Sequence, residues 1–150
     1  MLSNADYRYM SLTMEEAKKS HFSYQVGCIA VVSGKIVARG CNTYRTYSKD
    51  GMIGRACSCH AEIDVLRKCL KQNIMKKINM YVMRSSSTGE LLCSTPCIDC
   101  FLKMKDFNIR SIIYVNHDGD ITKRSVDDFN TFHTTSGYRA IKANCVKNCV

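Results

Sequence analysis

Two short motifs that lie far apart in the chain, His60-Ala61-Glu62 and Pro96-Cys97-Ile98-Asp99-Cys100, constrain the fold more than anything else in it. One imidazole and two thiols form a ligand set that suits zinc, and ligands bind one ion only if they meet at one point. Cysteines three apart on a helix point from the same face, so Cys97 and Cys100 can grip one ion while Phe101 and Met104 continue that face into the core. His60 has to come from a second helix packed beside the first. Three protein ligands, rather than the four of a closed structural site, leave one position for water, and Glu62 remains as an unligated carboxylate next to it.

The remaining pattern supplies the frame. Thr13-Met14-Glu15-Glu16 has the spacing of a capping box and predicts a first helix from Met14 to about Ser20, with residues 1 to 12 as an upstream extension. Val26 to Val32 and Lys35 to Cys41 flank Ser33-Gly34 and read as a hairpin. Residues 43 to 56 show no periodicity and form a long loop. From His60 a helix is expected, with Ile63, Leu66 and Leu70 on one face and Arg67, Lys68 and Lys71 favouring its C-terminal dipole.

Ile78 to Arg84 reads as a third strand, followed by a turn over 85 to 89 and a short continuation at Leu91-Leu92-Cys93. Pro96 fits the first position of a third helix capped by Thr95 and running to about Phe107, with Asn108 as its stop. Ser111 to Val115 and Ile121 to Arg124 then flank the turn signal Asp118-Gly119. This order predicts an α/β fold, a three-layer sandwich with a mixed five-stranded sheet and helices on both faces. One domain over residues 1 to 150 is expected, with 126 to 150 as a C-terminal extension.

Composition narrows the functional classes. No apolar run approaches the roughly 20 residues of a membrane span, and the N-terminus lacks a basic stretch leading into an apolar one, so a cytoplasmic, unexported protein with no membrane partner is expected. Ten cysteines in such a chain argue for thiols or metal ligands rather than disulfides. Cys57 and Cys59 could hold a second metal, or complete a four-ligand structural site with the triad. The formal charge of +9 suits phosphate-bearing ligands, free nucleotides or nucleic acid. Six of the basic residues lie between Arg67 and Arg84 with no acid among them.

H-x-E followed by P-C-x-x-C is the signature of zinc-dependent nucleobase deaminases. On these residues the chain resembles the cytidine and deoxycytidylate deaminase family over roughly residues 12 to 125. Val26-Gly27-Cys28, Gly40-Cys41-Asn42 and Ile109 to Tyr114 are similar to family positions as well. The resemblance implies zinc held by His60, Cys97 and Cys100, with Glu62 shuttling protons from the metal's water to a ring nitrogen and then to the leaving amine. It also implies that Asn42 contacts the substrate sugar, that the Ala61 backbone contacts the pyrimidine, and that the protein is a homo-oligomer.

The expected reaction converts a cytosine nucleotide or nucleoside to the uracil compound and ammonia. Two other readings are a deaminase acting on cytosine or adenine in single-stranded nucleic acid, and a zinc-stabilised interaction module without turnover. Tyr44 stands where nucleoside enzymes of similar sequence carry a ribose-binding glutamate, and His60 is more like the nucleotide and polynucleotide branches. Against that, the tight turn at Asp118-Gly119 leaves no room for the crossover helix usual in those branches. The loop from Tyr44 to Arg55 is the expected pocket wall, with tyrosines for stacking and Arg45, Lys49 and Arg55 for phosphate. Arg139 is a weaker phosphate candidate.

Overall fold

A computed structural model describes residues 2–53 and 59–129. The elements are α1 (Asn4–Ala17), β1 (Tyr24–Val32), β2 (Lys35–Cys41), α2 (Ala61–Lys71), β3 (Ile78–Ser86), β4 (Leu91–Leu92), α3 (Ile98–Met104), β5 (Ile109–Val115) and β6 (Ile121–Ser125). The sheet runs β2-β1-β3-β5-β6, and the two-residue β4 pairs with β3. Only β3 and β5 are parallel. A parallel pair needs a crossover, and α3 lies in it. The expected mixed α/β architecture is therefore present, with β4 as a short sixth strand. The expected extension from 126 lies, beyond Phe129, outside the described residues.

Alternation along the strands divides the core into two layers. Ile29, Val31, Tyr81, Met83, Ile113 and Val115 pack under α1 against Tyr9 and Met10. Cys28, Ala30, Met80, Val82 and Ile112 face the other way, onto Val65 and Leu66 of α2 and Phe101 and Met104 of α3. α1 lies so close to β1 that a side chain at Gly27 would run into the Thr13 carbonyl oxygen and the Ala17 amide. The β1–β2 turn places Ser33 and Gly34 at φ 50° and 77°, the left-handed pair that matches the twist of a tight hairpin.

Several helix ends differ from expectation. α1 starts at Ser3, not near Thr13: the Ser3 hydroxyl accepts from the Asp6 amide, and the Asp6 carboxylate accepts from the Ser3 amide. Thr13 sits buried mid-helix, its hydroxyl donating back to the Tyr9 carbonyl at 2.7 Å, so the apparent capping box is an internal threonine. Asp6 wins because its carboxylate also meets Tyr81 and Lys123, contacts that no local pattern encodes. α3 is capped by Cys97 rather than Thr95, and Pro96 precedes the helix. Asn108 has no left-handed backbone; that conformation falls on Asn73, after α2. Leu70 is exposed, because the buried face of α2 turns through Ile63, Leu66 and Cys69. No described helix is long and apolar enough to cross a membrane.

Candidate functional site

α2 and α3 each begin at a ligand. His60 is the N-cap of α2, with extended backbone at φ −71° and ψ 151°, and its side chain makes no capping hydrogen bond. The imidazole turns instead to the neighbouring helix, where Nδ1 lies 3.1 Å from Cys100 Sγ and 3.6 Å from Cys97 Sγ. Cys97 is the N-cap of α3, and its sulfur accepts the Cys100 amide at 3.5 Å. The three ligand atoms lie within 4.8 Å of one another.

Tetrahedral zinc, with bonds of about 2.3 Å to sulfur and 2.0–2.1 Å to nitrogen, separates such atoms by roughly 3.6 to 3.8 Å, so this donor set fits the ion in chemistry and in span. Among the described residues no other cluster of three ligating groups comes this close. Cys57 lies outside the described residues. Cys59 is buried with its thiol on the His60 carbonyl at 3.4 Å, and it is not part of the cluster.

The protein groups already lean toward an anionic ligand set. Cys97 is pulled down to about 4, first by its hydrogen bond from Cys100 and then by His60, against the opposing effect of burial. Burial pushes His60 toward neutrality, but the Cys97 hydrogen bond and the charges of Glu62, Cys97 and Asp99 outweigh it and raise the imidazole to about 9. Cys100 is raised well above its ordinary range by sharing its proton with Cys97, by burial and by Glu62. One cation taken up by this cluster displaces those protons.

Glu62 is buried in the first turn of α2, and burial raises its carboxyl while a hydrogen bond from Cys100 opposes the shift. The fold brings the expected His60, Cys97 and Cys100 together, with Glu62 buried beside them.

The surrounding wall is built differently from expectation. Thr43 and Cys59 pair as an antiparallel bridge, with N–H···O distances of 2.9 and 2.8 Å, which ties the end of β2 to the residue before His60. Asn42 stands next to that bridge, half-buried. Its side-chain oxygen accepts the Val26 amide at 3.0 Å, and its amide donates to the Tyr24 carbonyl at 3.0 Å. Ala61 is fully buried behind His60.

Tyr44 is 63% exposed and stacks on Phe22 at 4.0 Å between centroids. Arg45 turns onto its own loop, donating to the Tyr47 carbonyl at 2.8 Å, while Arg55 and Arg139 lie outside the described residues. Arg67, expected as a cation complementing the C-terminal dipole of α2, is buried and donates through Nε to Asp50 at 2.8 Å. Asp50 in turn binds the Ser48 hydroxyl and the Met52 amide. Ser94 is a further positioning group that sequence reasoning missed. Its hydroxyl donates to the Val82 carbonyl at 2.7 Å and accepts the Val115 amide at 2.9 Å, joining the middle of β3 to the end of β5 just ahead of Cys97. Only the spatial meeting of those two strands reveals it.

Residues 3–116 match the family described as the cytidine and deoxycytidylate deaminase zinc-binding region. No curated protein sequence matches. Among solved structures, the chain is similar to a dCMP deaminase from the cyanophage S-TIM5, crystallised with dCMP and dUMP, at 21% identity and a TM-score of 0.57 over 75% of this chain and 81% of that one. It is similar to a cytidine deaminase from Burkholderia pseudomallei at 18% identity and a TM-score of 0.61, covering 85% of this chain and 95% of that one. The cytidine deaminase from Mycobacterium tuberculosis gives 18% identity and a TM-score of 0.51, over 82% of this chain and 92% of that one. At these identities the likenesses establish the shared fold.

Proposed function

Since the chain belongs to the cytidine and deoxycytidylate deaminase family and carries its zinc-binding triad, we propose that it hydrolyses the exocyclic amine of a cytosine nucleotide or nucleoside. Water adds at the ring carbon bearing the amine, the carbon–nitrogen bond breaks, and the uracil compound and ammonia leave. His60, Cys97 and Cys100 would hold zinc, which would supply Lewis acidity that lowers the pKa of water to about 7.

The proton then has to be moved, and Glu62 is the group in place to do it. The observation that carries this reading is a buried carboxyl in hydrogen-bond contact with a ligand thiol and shifted upward by burial. From that position the carboxyl takes a proton from water and returns it to a ring nitrogen and then to the departing amine. In this scheme Ala61 lines the base, and Asn42, which still has one side-chain N–H to offer, meets the sugar. Tyr44 and Arg45 flank the entrance.

The test is ammonia release from cytidine, deoxycytidine, their monophosphates, adenosine and guanine compounds, and single-stranded DNA and RNA. Turnover confined to the polymer would favour a nucleic-acid editor, and no turnover a zinc-stabilised module. Glu62→Ala should reduce kcat by about 10²-fold to 10⁴-fold with zinc content unchanged. Activity within tenfold of wild type would reject the role of the carboxylate.

A further inference from the structure

We propose that Arg84, held on the ring of Tyr24, is the anion anchor of the substrate site and recognises the phosphate carried on the sugar of a pyrimidine nucleotide. The proposal rests on the deaminase reading and adds the substrate's charged group to it.

The strand registers place Arg84 on the site's side of the sheet. The Asn42 amide donates to the Val26 carbonyl at 3.1 Å, Val26 pairs with Arg84 across β1 and β3, and Arg84 pairs with Leu92 of β4. Asn42, Val26, Arg84 and Leu92 thus form one row across four strands. Alternation puts this row on the same face as Cys28, Ala30, Met80 and Val82, the face covered by α2 and α3. It also lies at the end of the sheet where the metal ligands gather. Two residues beyond Leu92, Ser94 clamps the loop into Cys97, and beside Asn42 the Thr43–Cys59 bridge delivers His60.

The charges on this face single out Arg84. Its guanidinium carbon lies 4.8 Å from the centroid of Tyr24, and Arg84 itself is half-buried. No carboxylate pairs with it among the described residues. Among the described residues, Arg45 is already engaged with the Tyr47 carbonyl and Arg67 with Asp50. The chain from Thr43 to Lys49, which follows Asn42, contains no acid to repel an anion.

A guanidinium held over an aromatic ring by the cation–π attraction keeps its N–H donors available, and its planar fork matches two phosphate oxygens. The same phosphate chemistry occurs in a free nucleotide and in a polynucleotide strand.

The experiment uses the zinc-loaded full chain and measures calorimetric binding of uridine, deoxyuridine, their 5′-monophosphates, and a short single-stranded oligonucleotide containing one uracil. Wild type should bind the monophosphates about ten- to a hundredfold tighter than the nucleosides. Arg84→Gln should abolish that difference while nucleoside affinity and zinc content stay unchanged, and Arg84→Lys should restore part of it. An Arg84-dependent preference seen only with the oligonucleotide would assign the phosphate to a strand and support the anchor. Equal wild-type affinity for nucleoside and nucleotide would overturn it, as would an Arg84→Gln variant that weakens both alike. Because binding is read without turnover, a persisting phosphate preference with no ammonia release would reject the deaminase reading alone, and ammonia release without that preference would reject the anchor alone.

Discussion

Arg67→Ala is expected to destabilise the protein by about 2 kcal/mol, because it removes the ion pair that ties Asp50, in the loop over residues 48–53, to α2. Breaking a fully buried ion pair by deleting one partner costs about 3–5 kcal/mol. Here the Arg67 side chain is only 8% exposed but that of Asp50 is 23% exposed, so the orphaned carboxylate can partly rehydrate and the cost falls below that range, to about 2 kcal/mol. For a chain of this size about 2 kcal/mol corresponds to a Tm lower by roughly 4–8 °C. Within the loop, Ser48, Asp50, Met52 and Ile53 are bonded to one another, so the loop should detach as a unit.

Asp50 also gives the pH signature of this pair. Burial pushes its carboxyl up, yet the hydrogen bonds from Ser48 and Met52 and the Arg67 guanidinium hold it down at about 2, against an ordinary 3.8. The stability this supplies is fully present above pH 3.8 and is lost as the pH falls toward about 2. Urea unfolding of wild type, Arg67→Ala, Asp50→Ala and the double variant gives the coupling directly, and a value of about 1–2 kcal/mol is expected. Additive single effects, or an Arg67→Ala acid limb as steep as that of wild type, would refute the reasoning.

Gly27→Ala should lower the Tm sharply, since the new methyl meets backbone atoms of Thr13 and Ala17 rather than a side chain that can swing away; full stability in thermal unfolding would contradict this. Tyr81→Phe should cost about 1–3 kcal/mol through loss of the buried 2.5 Å hydrogen bond to Asp6. Burial, reinforced by Asp6, raises the Tyr81 phenol well above its ordinary 10, so wild type loses this contribution as the pH rises above 10, and the variant's alkaline limb should be shallower. Stripping zinc with a chelator should lower the Tm by an amount set by metal affinity, about 2.7 kcal/mol at a free zinc concentration 100 times Kd. Cys100→Ser should weaken that response, and metal analysis of each variant checks it.

Local patterns were enough to locate the metal ligands and the hairpins. His60, Glu62, Cys97 and Cys100 are legible because ligand spacing and helix starts depend on residues a few positions apart. The Ser33-Gly34 and Asp118-Gly119 turns are legible because backbone sterics act at the same short range. The helix caps were not read correctly where a local candidate competed with a distant one. Thr13 and Ser3 both resemble caps in sequence, and the choice falls to Ser3 because Asp6 is held by Tyr81 and Lys123 from two separate strands.

What the sequence determined by itself is the chemistry: an imidazole, two thiols and a free carboxyl, each at the mouth of a helix. What only the tertiary structure decided is which groups surround that chemistry. Arg67 meets Asp50, Arg45 turns onto its own loop, and Arg84 shares a row with Asn42 because the strand order brings β2, β1, β3 and β4 side by side. The distant partners, 17 to 117 positions apart, are chosen by packing of the whole sheet, which no window of a few residues contains.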